Sequence, residues 1–187
     1  MSNSGKPKTV ERDGRTWPLG DGHTVSWVNR NTWGGLAITS AIPPRFEGYA
    51  TIADMEDFTS PEDLVASQGR VVRVLRHHGS MEWWLGYLDT GADDIVFPGT
   101  RKIKLYANWP YVIVKAGPDQ ALHWRETLPD LMFPGDRTWC LSTLWDDSWT
   151  CLGGPNALID QLASDSRIEL RRVELGVDAT PPGHTAM

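Results

Sequence analysis

The hydrophobic and polar positions of this chain fall into short runs broken by turn-forming residues, with one longer exception. From Pro61 to about His78, Leu64, Val65, Gln68, Val71, Val72 and Leu75 recur at helical spacing, while Arg70, Arg73 and Arg76 turn outward. Ser60 stands where an N-cap belongs, Pro61 suits the first helical position and Asp63 completes a capping-box-like pattern. Gly79 supplies the stop. This segment is predicted to be a helix, weakened in its middle by Gly69.

The other runs have the length and turn-bounded character of strands. Val25–Asn29, Leu36–Ala41 and Gly48–Ala53 are expected as strands, separated by Gly34-Gly35 and by Pro43-Pro44, which cannot lie inside a central strand. Trp83–Leu88 is a further strand, and residues 90–101 form a Gly-, Asp- and Pro-containing loop. A hairpin is expected from Ile103–Tyr106 and Tyr111–Lys115, and a second from TWCLSTLW and SWTCLGG turning at Asp146-Asp147. That turn sets Ser142 opposite Cys151 and Cys140 opposite Gly153. The two thiols then share a face but lie diagonally, which suits buried, reduced cysteines better than a disulfide. Each hairpin runs into a Gly-Pro pair, after which short helices are expected over Pro118–Glu126 and from Gly154-Pro155 to about Asp165. The similarity of VKAGPDQAL and CLGGPNALI suggests two ββα units. Ile168–Leu175 gives a last strand.

Taken together, these runs predict an α+β fold, with a largely antiparallel, twisted sheet and two or three helices covering one face. Residues 1–15 are expected to be a disordered N-terminal segment, 16–177 a single domain and 178–187 a flexible tail.

Charge and tryptophan change this picture in one region. Of the ten tryptophans, Trp83, Trp84, Trp109, Trp124, Trp139, Trp145 and Trp149 lie in one central stretch. Between Glu82 and Asp165 there are 12 acidic and 6 basic residues, which accounts for the whole net charge of −6. An acidic, indole-rich stretch suits recognition of a basic partner, since Trp combines a large apolar surface with one N–H donor. It argues against sequence-independent nucleic-acid binding, which needs Lys and Arg to neutralise phosphates. With no apolar run long enough to span a bilayer and no apolar leader, the expected setting is cytoplasmic, without membrane contact.

Two constellations are candidates for function. In the first, Trp145 and Trp149 flank the Asp146-Asp147 turn, and Trp109-Pro110-Tyr111 extends the same theme; indoles beside carboxylates can grip a cationic side chain. In the second, Asp89, Asp93 and Asp94 place three carboxylates within six residues, near Trp84, where a divalent ion or an acid/base pair would be at home. The spacing lacks the EF-hand pattern, and Asx turns account for the same residues. Phosphate-loop, dinucleotide, hydrolase-elbow and kinase signatures are missing, and no cofactor is expected. His77, His78, His123 and His184 match no zinc spacing. The first expectation is therefore a non-enzymatic protein-binding module, with an immunity-type, toxin-neutralising protein as one concrete form. The alternatives are a small-ligand binder or metal-assisted hydrolase using the Asp89 loop, and a subunit of a homo-oligomer whose Trp patch is buried against a second copy.

Overall fold

The computed structural model describes residues 9–53, 60–91, 95–145 and 147–185. Its elements in chain order are β1 (Thr9–Arg12), β2 (Arg15–Pro18), α1 (Gly22–Asn29), β3 (Gly48–Ala53), α2 (Pro61–Leu75), β4 (Trp83–Leu88), β5 (Ile103–Leu105), β6 (Trp109–Ala116), β7 (Leu131–Pro134), β8 (Cys140–Ser142), β9 (Trp149–Gly154), α3 (Asn156–Ala163) and β10 (Leu170–Arg172). Eight strands form one sheet in the order β10-β3-β9-β8-β7-β4-β6-β5, with every pair antiparallel, and β1 pairs with β2 separately. This is the α+β architecture expected from the sequence. Both edges of the large sheet, β10 and β5, are only three residues long.

Side chains alternate across the sheet with the period of two that a pleated strand requires. On β4, Trp83, Leu85 and Tyr87 enter one core while Trp84 and Leu88 pack against the other; on β6, Val112 and Val114 alternate with Tyr111 and Ile113. The first core is closed by α2 through Val71, Val72 and Leu75, and by α3 through Leu158, Ile159 and Leu162. The second is closed by α1 through Val25, Trp27 and Val28, and by the irregular segment bearing Ile38, Ala41 and Ile42. The helices therefore divide between the two faces rather than covering one, because the strands are apolar on both sides. Adjacent glycines on β9 admit this close cover. A Cβ on Gly153 would stand 2.5 Å from the Phe46 ring on one face, and a Cβ on Gly154 would stand 2.8 Å from Leu158 on the other.

Several local expectations are overturned. Val25–Asn29 belongs to helix α1, not a strand: the Asp21 carboxylate accepts from the backbone N–H groups of His23 (2.9 Å) and Thr24 (3.1 Å), and the Thr24 hydroxyl accepts from Asp21 N–H. That reciprocal cap outweighs the strand preference of Val and Trp. Leu36–Ala41 contains one turn of 3₁₀ helix, Ile38–Ser40, which buries Ile38 and Thr39. After Gly117 the chain makes one 3₁₀ turn, Pro118–Gln120, and then irregular turns instead of a helix to Glu126. There the Arg125 guanidinium folds back to donate to Asp130 and to the Leu128 carbonyl. Only the second hairpin thus ends in an α-helix, and the ββα plan is not repeated.

The described residues on either side of 16–177 also make contacts with the rest of the chain. Asp13 and Gly14, with φ of 54° and 68°, form the tip of the β1–β2 hairpin. Trp17 from this hairpin meets Trp124 edge-on at 4.9 Å. At the other end Asp178 bridges Ala37, Ala179 N–H donates to the Leu36 carbonyl at 2.7 Å, and Ala179 is buried. No helix among the described residues is long and apolar enough to cross a membrane.

Candidate functional site

Two hairpins, one loop and the C-terminal segment enclose a cleft of about 280 Å³ on the α1 side of the sheet. The β5–β6 hairpin contributes Tyr106, Ala107 and Trp109; Tyr106 and Asn108 take left-handed backbone conformations (φ 52° and 67°) that let the chain reverse in three residues. The β8–β9 hairpin contributes Leu144, Asp147 and Trp149, and Thr32–Leu36 adds the exposed Trp33 beside Gly34 and Gly35. Ala179 and Thr180 complete the wall.

Of the first predicted constellation, Trp109, Trp149 and Asp147 line this cleft, and Trp145 stands beside it against Trp109. Trp145 leaves the β8–β9 turn and meets Trp109 edge-on, with centroids 5.9 Å apart and planes at 89°. Trp149 is buried at the cleft floor, whereas Trp145 is 62% exposed. Tyr111 does not reach the cleft. It is fully buried beneath it, edge-on to Tyr106 at 5.9 Å, with burial holding its phenol well above the ordinary range. Asp146 lies outside the described residues.

The hairpin register is the one expected: Cys140 opposes Gly153 and Ser142 opposes Cys151. Both cysteines are free and buried. Cys151 lies under the cleft, where burial, and secondarily the Asp147 charge, push its thiol up to about 12. Such a thiol is not a nucleophile at neutral pH. The Tyr106 hydroxyl is shared with Ser142 Oγ at 2.8 Å and reaches the Ala41 carbonyl at 3.2 Å, which fixes one wall.

The second predicted constellation is arranged differently. Asp89 is buried and paired with Lys102, whose Nζ lies 3.0 Å from Oδ1; the same carboxylate accepts from Gly91 N–H at 3.2 Å. Its charge is thereby neutralised inside the fold. Asp93 and Asp94 lie outside the described residues. Trp84 is half-buried in the α1-side core, on the opposite face from Trp83. No group of three His, Cys, Asp or Glu side chains among the described residues could hold a metal ion.

Sequence reasoning missed two contributors. Trp33 was passed over because the surrounding Gly-Gly loop carries no periodicity. His184, assigned to a flexible tail, meets Trp149 edge-on at 5.9 Å and its Nδ1 lies 2.7 Å from Ser148 Oγ. Among the described residues no carboxylate lies within ion-pair distance of this imidazole. The arrangement offers aromatic surface, one lining carboxylate and several hydroxyls, which is the chemistry of holding a ligand. Comparison of the chain with protein-family models, with curated proteins and with solved structures finds no match.

Proposed function

We propose that this protein is a non-enzymatic binding module whose aromatic cleft receives a basic side chain of a protein partner. The observation that carries this reading is the joint placement of Trp33, Trp109 and Trp149 with Asp147 around one cleft. Indole rings attract a cation through their electron-rich faces, and a carboxylate in the same concavity adds direct attraction. The acidic stretch from Glu82 to Asp165 would steer a basic protein toward it from a distance. An immunity-type protein that covers a basic active site is one concrete form of this function.

The test begins with capture of a partner from native lysate at low and moderate salt, followed by calorimetry with the purified partner. Trp109→Ala and Asp147→Asn should each weaken binding by roughly 30-fold, as expected for residues at the centre of an interface. Asp147→Asn should also flatten the salt dependence of association. Wild-type affinity in both variants would overturn the assignment of the cleft.

A further inference from the structure

A second site stands apart from the cleft and has the opposite charge. Trp27 on α1 is held by two arginines from distant parts of the chain. Arg45 Cζ lies 5.3 Å from its ring centroid and Arg137 Cζ lies 5.4 Å from it. Arg45 also rests on Phe46 at 5.9 Å. Both are fixed through the backbone: Arg45 N–H donates to the Pro43 carbonyl and Arg137 N–H to the Pro134 carbonyl, each at 2.9 Å. Arg137 sits at φ 58°, a conformation that side-chain-bearing residues rarely adopt and that clusters at functional positions.

Among the described residues, no carboxylate lies within ion-pair distance of Arg45 or Arg137, and neither side chain donates a hydrogen bond. Other arginines of this fold differ. Arg125 is paired with Asp130, Arg167 with Asp165, and Arg171 with the carbonyls of Asp178 and Thr180. The carboxylates nearest in sequence are engaged elsewhere: Glu47 accepts from Asn156 N–H, and Asp136 from Ser80 N–H and Thr138. Trp27 is itself more than nine-tenths buried, and its indole N–H has no acceptor among the described residues. Trp27 and Arg45 line a cavity of about 390 Å³ with Asn31, Pro43 and Pro44.

A guanidinium stacked on an aromatic ring keeps its N–H edge free to donate in plane, the geometry that grips oxyanions in a two-pronged fashion. Two such groups beside one indole, unpaired with any carboxylate of the described residues, favour a doubly charged tetrahedral oxyanion over a single carboxylate. We infer that Arg45, Arg137 and the Trp27 indole form a binding site for a phosphate-class dianion.

The experiment is a titration of the full-length, ¹⁵N-labelled protein with inorganic phosphate at constant ionic strength, with acetate as the comparison. Saturable movement of the Trp27 indole and of the Arg45 and Arg137 Nε–H resonances is expected with phosphate and not with acetate. Arg45→Gln and Arg137→Gln should each weaken phosphate binding by at least about tenfold, and Arg45→Lys should restore only part, because it returns charge without the fork. Exposed Arg73→Gln should leave binding unchanged. Should Arg137→Gln fail to fold, Arg45→Gln decides, since that side chain is exposed. Pyrophosphate run in parallel separates an isolated phosphoryl group, bound equally well, from a longer phosphate chain, bound more tightly. No saturable shift, an equal response to acetate, or wild-type affinity in Arg45→Gln would overturn the site.

Discussion

Two tryptophan pairs meet edge-on in this molecule and have different fates. Trp83 and Trp139 lie 4.9 Å apart at 86°, both without exposed surface, and donate their N–H groups to the carbonyls of Ser80 and His78. Trp109, in the wall of the cleft, and Trp145 beside it lie 5.9 Å apart at 89°, and neither indole donates to a described residue. Ring geometry therefore does not separate core from site. What separates them is cover: α2 and α3 seal the face under Trp83, whereas α1, a Gly-Gly loop and the C-terminal segment leave the other face notched. A satisfied indole belongs to the packing, and an unsatisfied one at a rim is available to a ligand.

The largest effect should come from cutting each pair once. Trp139→Ala is expected to cost about 3–5 kcal/mol in denaturant unfolding, through lost burial and the cavity left behind. Trp145→Ala should change stability by less than about 0.5 kcal/mol. Equal costs would mean that both pairs serve the core. A smaller effect tests how well the cleft face is sealed. Burial holds the Cys151 thiol at about 12 and Cys140 still higher, so thiol reagents should modify neither in the folded protein near neutral pH. The sign on stability follows from the raised values. The contribution is intact below the ordinary thiol value of 9.0 and is lost as pH climbs toward 12, by about 1.4 kcal/mol per pH unit for each thiol. Rapid labelling at pH 7, or an unfolding midpoint flat from pH 9 to 11, would show that this face is open. The smallest effect concerns α1. Asp21→Ala should cost about 1 kcal/mol, and faster amide exchange should appear in α1 and not in α2 or α3. Exchange that rises on both faces alike would mean the two covers are coupled.

How much of this could be read from residues alone depended on how local the cause was. Ser60, Pro61 and the apolar spacing specify α2 within one segment, and its cap is found where expected, with Ser60 Oγ accepting from Asp63 N–H. The register of the cysteine hairpin follows from counting outward from its turn. By contrast β7, which lies between β4 and β8 in the middle of the sheet, was not anticipated. Its four residues, Leu-Met-Phe-Pro, are apolar on both faces, lack alternation and end at a proline, so their strand character comes from the neighbours they pair with. The β1–β2 hairpin did carry a local signal, Asp13-Gly14, which is suited to a turn with two left-handed residues. Asp21 and Thr24 likewise announced a helix three residues apart. Within the cleft, the hairpin residues were legible because aromatic and acidic side chains cluster around two turns. Trp33 and His184 were not, since contacts distant in sequence, among them the bridge between Ala37 and Asp178 and the Ser148–His184 hydrogen bond, place their segments there.

The short outer strands limit how this protein can join to others. β10 presents Arg171 and Arg172, and β5 presents Lys104, on ladders of only three residues. A second copy arriving edge to edge would find few backbone groups to pair with, one device by which natural sheets resist stacking into fibres. Growth by strand addition is thus opposed at both ends, and that directs association to the faces, where the cleft and the arginine-flanked indole lie.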